Sequence, residues 1–470
     1  MKNLILFVVL SLSGALFADA PKYVFLFIGD GMSAAQRNVA ESFSKAIGRG
    51  ELAMNHLKYT GSTMTGSANA LVTDSAAAAT AIACGVKANN GQLGIDPQGS
   101  NLVSCAYAAK AAGKKVGIMT TVTITHATPA GFYAHRKSRG DTYGIAVDLV
   151  NSGFDFFAGG GLDHGYKNAG HPEFAKYGHA YHYAEKEGYK VVRTREEFLK
   201  LKPKDGKILT RFTDGYLAKA IDPRPAEQPT LAEIVGKAIE MLDNPNGFFM
   251  MAEGGLVDWA GHANDAGSNL REVIDLDEAV KVAIAFQKKH PKETLIVVTG
   301  DHETGGLVMG LAGTGTMMHP ERLAKQTISS DAFSNQVADE FRKNPNMTFE
   351  DAKKLAEKGF GFKFKGDAKR DPMVLTENEI AELKKAFDHD LAFHKAKIEE
   401  NTKYDGEKRY IYGGTCRRVL ASKCGLNWNT GSHTAAPVLT TAGGKCAELF
   451  EGNYENTGIA ERLKGLYEKK

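Results

Sequence analysis

Most of the residues able to do chemistry sit where an apolar run ends. "YVFLFIGDG" ends on Asp30, and "KVGIMTTVTITHAT" ends on His126 and Thr128. "GFFMMAEGG" ends on Glu253, and "TLIVVTGDHETGG" delivers Asp301 and His302. Acids and imidazoles that converge from separate segments imply a metal, because oxygen and nitrogen donors of this kind suit divalent cations. "GGLVDWAGHANDAG" adds Asp258 four residues before His262, a spacing that places both on one face of a helix. A third ligand for that pair is offered by His433 in "SHTAAPV". Alone, each of these residues is as well explained by a turn aspartate or an ordinary loop histidine; together they form a candidate centre.

A different signal lies in "LVTDSAAAATAIACGVKANNG", where Asp74 and Ser75 precede a run of alanines. Alanine is the best helix former and serine a favoured N-cap, so Ser75 reads either as a cap or as a nucleophile at a positive helix end.

Continuous apolar runs such as those that end on these residues are the pattern of strands buried on both faces of a parallel sheet. Helix-like segments at Asp74 to Ala83, Leu102 to Ala112 and Thr230 to Leu242 alternate with them. The expected fold is therefore α/β, a mostly parallel central sheet with helices on both faces. In such sheets ligands bind at the carboxyl ends of the strands, where the candidate residues lie.

Two regions break the alternation. Residues 162–229 hold His164, His171, His179 and His182 among glycines and tyrosines, which reads as an exposed loop region more readily than as a metal site. Residues 310–426 include "LTENEIAELKKAFDHDLAFHKAKI", where Thr376 and Glu379 form a capping box and Ile380, Leu383, Phe387 and Leu391 recur at helical spacing. This predicts a helical insertion that covers the sheet or makes a dimer contact.

The 470 residues are 43% hydrophobic and 24% charged, enough to bury a large core. A net charge of +3, with no basic block interleaved with aromatics, gives no reason to expect a nucleic-acid partner. The opening "MKNLILFVVLSLSGALFADAPKY" has Lys2, an apolar stretch from Leu4 to Phe17 and small residues at Ala18 and Ala20. It reads as a signal peptide over residues 1–20, which predicts export to a periplasm or exterior and leaves no membrane span after cleavage. Five cysteines leave at least one unpaired in a monomer; Cys416 and Cys424 are close enough in sequence to close a small loop, though spacing cannot assign pairs. With no C-x-x-C, a thiolate zinc site is not expected.

Six motifs, "FIGDGM", "VTDSAAAATA", "HATPAGFYAHRKSR", "AEGGLVDWAGHAND", "VTGDHETGG" and "SHTAAPV", occur in one order, and in this the chain resembles the alkaline phosphatases over nearly all of residues 21–470. The resemblance implies a single catalytic domain with insertions at about 162–229 and 310–426, hydrolysis of a broad range of phosphate monoesters, and a homodimer. It further implies two zinc ions and one magnesium. Asp258, His262 and His433 would hold one zinc; Asp30, Asp301 and His302 would hold the second, which Ser75 also touches. Asp30 would bridge to magnesium bound by His126, Thr128 and Glu253. Ser75 would be the nucleophile that becomes phosphorylated, Arg139 the group that grips phosphate, and Asp74 the residue that orients Arg139. Some members carry Asp at the position of His126 and Lys at that of Trp259, and a Tyr-Gly-Pro segment common after the last histidine is missing here. A phosphodiesterase or phosphonate hydrolase on the same scaffold is the competing reading, along with an exported metal- or phosphate-binding protein without catalysis. A sulfatase would need Pro and Arg near the nucleophile, which "DSAAAATA" lacks.

Overall fold

"YVFLFIG" has no polar side chain except its first, and such a segment is stable only where both faces are covered. In the computed structural model, which describes residues 20–310, 317–398 and 409–467, it is the strand β1 (Tyr23–Gly29), buried along its whole length. The expected signal peptide lies, but for Ala20, outside the described residues. Seven further strands follow in chain order: β2 (Tyr59–Met64), β3 (Lys115–Thr120), β4 (Phe156–Ala158), β5 (Tyr189–Val192), β6 (Lys207–Thr210), β7 (Phe248–Gly254) and β8 (Thr294–Gly300). Then come four short ones, β9 (Glu303–Thr304), β10 (Leu307–Met309), β11 (Leu426–Trp428) and β12 (His433–Thr434), and finally β13 (Val438–Gly444) and β14 (Gly452–Glu455).

Ten of these make one sheet in the order β14-β2-β13-β8-β1-β7-β3-β4-β6-β5. All its pairings are parallel except those of β13, which runs antiparallel to β2 and β8. Alternate residues of the central strands feed two separate cores. Phe25, Phe27, Met250 and Ile296 join one, while Leu26, Ile28, Met251 and Val297 join the other. Helices cover both faces: Ala266–Lys289 packs on the first and Ser75–Cys84 on the second.

Register positions the site. Gly29 pairs with Gly254 on one side and Gly300 on the other, so β1, β7 and β8 end level. The residues that follow, Asp30 and Asp301, therefore emerge at one height, and Glu253 lies beside Ile28 and Thr120.

The two irregular regions differ from each other. Residues 162–229 supply β5 and β6, which extend the parallel sheet at its edge, so this tract is more than an exposed loop. Its His171 pairs with Asp141 at 3.0 Å. Residues 317–398 and 409–426 are mainly helical. The helix Glu377–Ile398 buries Leu383 and Phe387, and Thr376 and Glu379 exchange the two hydrogen bonds of a capping box at 2.8 and 3.3 Å. All five cysteines are free. Cys416 lies within the helix Tyr412–Lys423 and Cys424 caps it; eight residues at the helical rise separate them by roughly 12 Å, too far for a disulfide.

Gly300 shows how tightly the strand ends are packed, since a Cβ there would sit 2.2 Å from the Met32 carbonyl oxygen. Backbone cannot move aside cheaply, so Gly300→Ala is expected to cost about 2–3 kcal/mol and lower the urea midpoint. An unchanged midpoint contradicts this packing.

Candidate active site

The helix Ser75–Cys84 begins where its sequence dictates, but its cap is Asp74. Asp74 Oδ1 accepts from the Ala77 amide at 3.0 Å, which leaves Ser75 as the first helical residue. The expectation that Ser75 might serve as the cap is thereby corrected. All ten residues of the helix are buried, and the alanines allow close approach: a Cβ on Gly131 would lie 2.8 Å from that of Ala79. Ser75 Oγ lies 3.2 Å from His302 Nε2. The other oxygen of Asp74 accepts from the Gly91 amide at 3.0 Å and from Arg139 Nη1 at 3.1 Å. Arg139 also donates through Nη2 to His126 Nε2 at 3.2 Å.

Behind the serine, the level strand ends bring together Asp30, Asp301 and His302, all fully buried, with His302 Nε2 at 3.3 Å from both carboxylates. Asp258 and His262 share one face of the helix Leu256–His262, at 3.3 Å. His433 reaches them because β12 pairs with β9, opposite Thr304. Its Nε2 is 3.5 Å from Asp258 and 3.1 Å from His262 Nε2, and its ring stacks on that of His302 at 3.6 Å. The third group is Asp30, His126 and Glu253, whose ligand atoms lie within 4.8 Å of one another, with Thr128 Oγ1 donating to Asp30 at 3.2 Å. Thus the structure brings Asp30, Ser75, His126, Glu253, Asp258, His262, Asp301, His302 and His433 into one centre, while His164, His171, His179 and His182 are in none of the clusters there.

Hydrogen-bond partners fix the tautomers. His262 and His433 each face a carbonyl oxygen through Nδ1, that of Gly431 at 2.7 Å and that of Thr73 at 2.9 Å. A carbonyl only accepts, so Nδ1 carries a proton in each ring and Nε2 is the nitrogen turned toward Asp258, where it donates when protonated and offers a lone pair to a cation when not. Thr304 gives its single hydroxyl proton to Asp258 at 2.5 Å and can only accept from His302 Nδ1 at 3.2 Å, so His302 also turns a lone pair inward. Lone pairs 3.1 Å apart on His262 and His433 repel unless a cation or a proton lies between them. His126 differs. Because Arg139 donates to its Nε2, its Nδ1 holds the proton, and it can lend Nδ1 to a cation only when Arg139 lets go.

Electrostatics point the same way. Burial, then repulsion from Asp301, Asp258 and Glu253, pushes the Asp30 carboxyl well above its usual range, and burial lifts Asp301 to about 7. Hydrogen bonding to Asp258 raises His262 to about 9, while His262 and His433 outweigh burial to hold Asp258 well below the ordinary carboxylate range. Asp30 Oδ1, Glu253 Oε1, Asp301 Oδ2 and His126 Nδ1 are buried without a hydrogen-bond partner. Unpaired buried carboxylate oxygens are costly, and cations are what such a donor set accommodates.

The family model for alkaline phosphatase matches residues 21–468. The chain is 33% identical over 461 residues to alkaline phosphatase 3 of Bacillus subtilis, covering 95% of this chain and 88% of that one. Among solved structures, the cold-active alkaline phosphatase of a Shewanella species superposes with a TM-score of 0.78 at 26% identity, over 95% of this chain and all of the other. The Thermus thermophilus alkaline phosphatase does so with a TM-score of 0.76 at 27% identity, over 96% of this chain and 92% of its own. The chain belongs to the alkaline phosphatase family. It is a phosphomonoester hydrolase of a metal-dependent family, and the mostly parallel sheet with flanking helices is that of its structural neighbours.

Several residues of this alkaline phosphatase escaped the sequence reading. Thr120 bonds Glu253, Thr304 bonds Asp258 and His302, and Glu303 accepts from Gln36 at 2.7 Å and Thr434 at 2.5 Å, holding β12 in place. Glu303 and Thr304 stand in "GDHETGG" itself, but nothing in a sequence separates a ligand from the neighbour that orients it. Groups that orient metal ligands carry about tenfold or more in metal affinity. Thr304→Val should therefore weaken metal retention about tenfold in chelator competition, and equal retention would show that the hydroxyl orients nothing.

Proposed function

We propose that this alkaline phosphatase is exported and hydrolyses a broad range of phosphate monoesters through a phosphoserine formed on Ser75, at a centre that holds two zinc ions and one magnesium. The observation that carries this reading is the Ser75 hydroxyl at the start of a buried helix, facing His302 beside carboxylate oxygens that have no partner. Asp258, His262 and His433 would hold one zinc and Asp30, Asp301 and His302 the other. Asp30, Glu253, Thr128 and His126 would hold magnesium. A His-to-Asp variant of the TAB5 alkaline phosphatase has magnesium bound in its M3 site, which supports magnesium at a third site of this fold and leaves the part of His126 to be tested. Single-domain organisation with insertions at about 162–229 and 310–426, and homodimerisation, complete the proposal.

When bound, such cations lower the pKa of hydroxyl and water nucleophiles and neutralise charge on the transferring phosphoryl group. The chain supplies the rest. Ser75 Oγ attacks phosphorus, the bond from phosphorus to the ester oxygen breaks, and the alcohol departs with a proton. Water then attacks the phosphoserine, the bond from phosphorus to Oγ breaks, and orthophosphate leaves. The helix N-terminus places amide N–H groups and a positive potential beside the anion in both steps. Arg139 offers a planar fork for two phosphate oxygens, which favours a monoester over a diester. Asp74 keeps that fork aimed across the serine.

Ser75→Ala should lower kcat by about a thousandfold or more while metal content stays near that of the unchanged protein. Undiminished turnover would refute the nucleophile. Chelation should remove activity, and zinc with magnesium should restore it; a metal-free preparation that retains full activity contradicts the centre. An aryl phosphate should be turned over faster than the matching diester.

A further inference from the structure

His262 has a second neighbourhood. It lines a cleft of about 660 Å³, a volume suited to a small organic ligand. The opposite wall comes from the helical region, chiefly the helix Tyr412–Lys423, and Trp428 of β11 closes one side. Arg409, Arg417 and Arg418 line it, against one lining carboxylate among the described residues, Asp331. That carboxylate is taken by Lys219 at 2.5 Å, and Arg418 is shared with Glu382 at 2.9 Å. Arg417 is different. It donates to the Ser330 hydroxyl at 3.3 Å and meets no carboxylate at ion-pair distance among the described residues. Its guanidinium lies over Gly414, where a Cβ would sit 3.4 Å from Nη1. Trp428 Nε1 is buried without a partner, and its ring is pinned against Gly305, where a Cβ would approach to 2.4 Å.

We propose that this cleft receives the alcohol portion of the substrate and, within a broad range of phosphate monoesters, favours one whose alcohol carries a second anionic group, which Arg417 holds. The inference rests on the phosphomonoesterase reading above, because in-line displacement sends the alcohol away from Ser75 and His262 is the site residue that also lines the cleft. Asp265 and Asp331 act on this guanidinium only from beyond ion-pair distance, so its planar fork is left to match a carboxylate or a phosphate. Arg139 and Arg417 would then divide the work, one on the reacting phosphate and the other on the distant charge.

The test is calorimetric titration of the metal-loaded protein with three non-hydrolysable series of increasing chain length: hydroxyalkyl phosphonates, carboxyalkyl phosphonates and alkane bisphosphonates. At one chain length an anionic tail should bind about tenfold tighter than the hydroxyl tail, the gain expected of one charge-assisted contact. The carboxylate and phosphonate arms show which anion is preferred. Arg417→Gln should erase the gain and leave the hydroxyl series unchanged. Equal affinity of hydroxyl and anionic tails at every chain length in the unchanged protein overturns the subsite without any variant. Failure of the parent reading shows differently: no phosphonate binds, no monoester is hydrolysed, and both inferences fall.

Discussion

Four carboxylates, Asp30, Glu253, Asp258 and Asp301, are held within one centre at no more than 3% exposure, and the rest of the molecule has to accommodate that charge. Removing even one unpaired carboxylate from water costs several kcal/mol, and each further one adds repulsion. The response is uneven. Asp258, with His262 and His433 against it, is drawn down; Asp30, facing carboxylates, is driven up. Two like groups moved in opposite directions mark where positive charge is already built into the chain and where it has to be brought in. A core made only for stability would have no reason to carry such a cluster, because apolar residues of the same volume fill space at lower cost.

Holding the cluster together depends on register more than on any single contact. With Gly29, Gly254 and Gly300 level, the turns after three parallel strands open at one place. Gly31, at a φ of 72°, lets the chain turn where a Cβ would lie 2.7 Å from Thr304 Oγ1, and its amide donates to Asp301 at 3.0 Å. His433 arrives from the far end of the sequence by a different device, the small β9–β12 pairing. Glu303 clamps that ribbon from both sides, through Gln36 and Thr434.

Much of this was legible before any coordinates. Long apolar runs report strands that are buried on both faces, so β1, β3, β7 and β8 could be read directly, along with the acids at their ends. The outer strands could not. β2, "YTGSTM", and β14, "GNYE", are short, polar and half exposed, and neither periodicity nor composition distinguishes them from loops. β5 and β6 are hard to see for another reason: at four residues each they are too short for an apolar pattern to stand out in the histidine-bearing tract. Site residues were visible where acids and imidazoles recur in family motifs. Thr120 and Thr304 were not, since a hydroxyl that orients a ligand depends on three-dimensional geometry alone. Nor could spacing foretell that Arg139 occupies one nitrogen of His126.

Asp74 shows why stability and chemistry cannot be separated here. One oxygen completes the helix that presents Ser75, a contact of the kind worth about 1 kcal/mol, and the other fixes Arg139. Asp265 repeats the arrangement on the opposite side. It caps the helix Ala266–Lys289, which follows directly on Asp258 and His262, while accepting from Gln326 and from the Ser330 amide at 2.8 Å each. Ser330 in turn receives a hydrogen bond from Arg417. The helical region is thus tied by a buried carboxylate to the segment that carries Asp258 and His262. A change in how that region packs would reach His262 through Asp265, so the helices that cover the sheet also help to set the position of the acidic cluster.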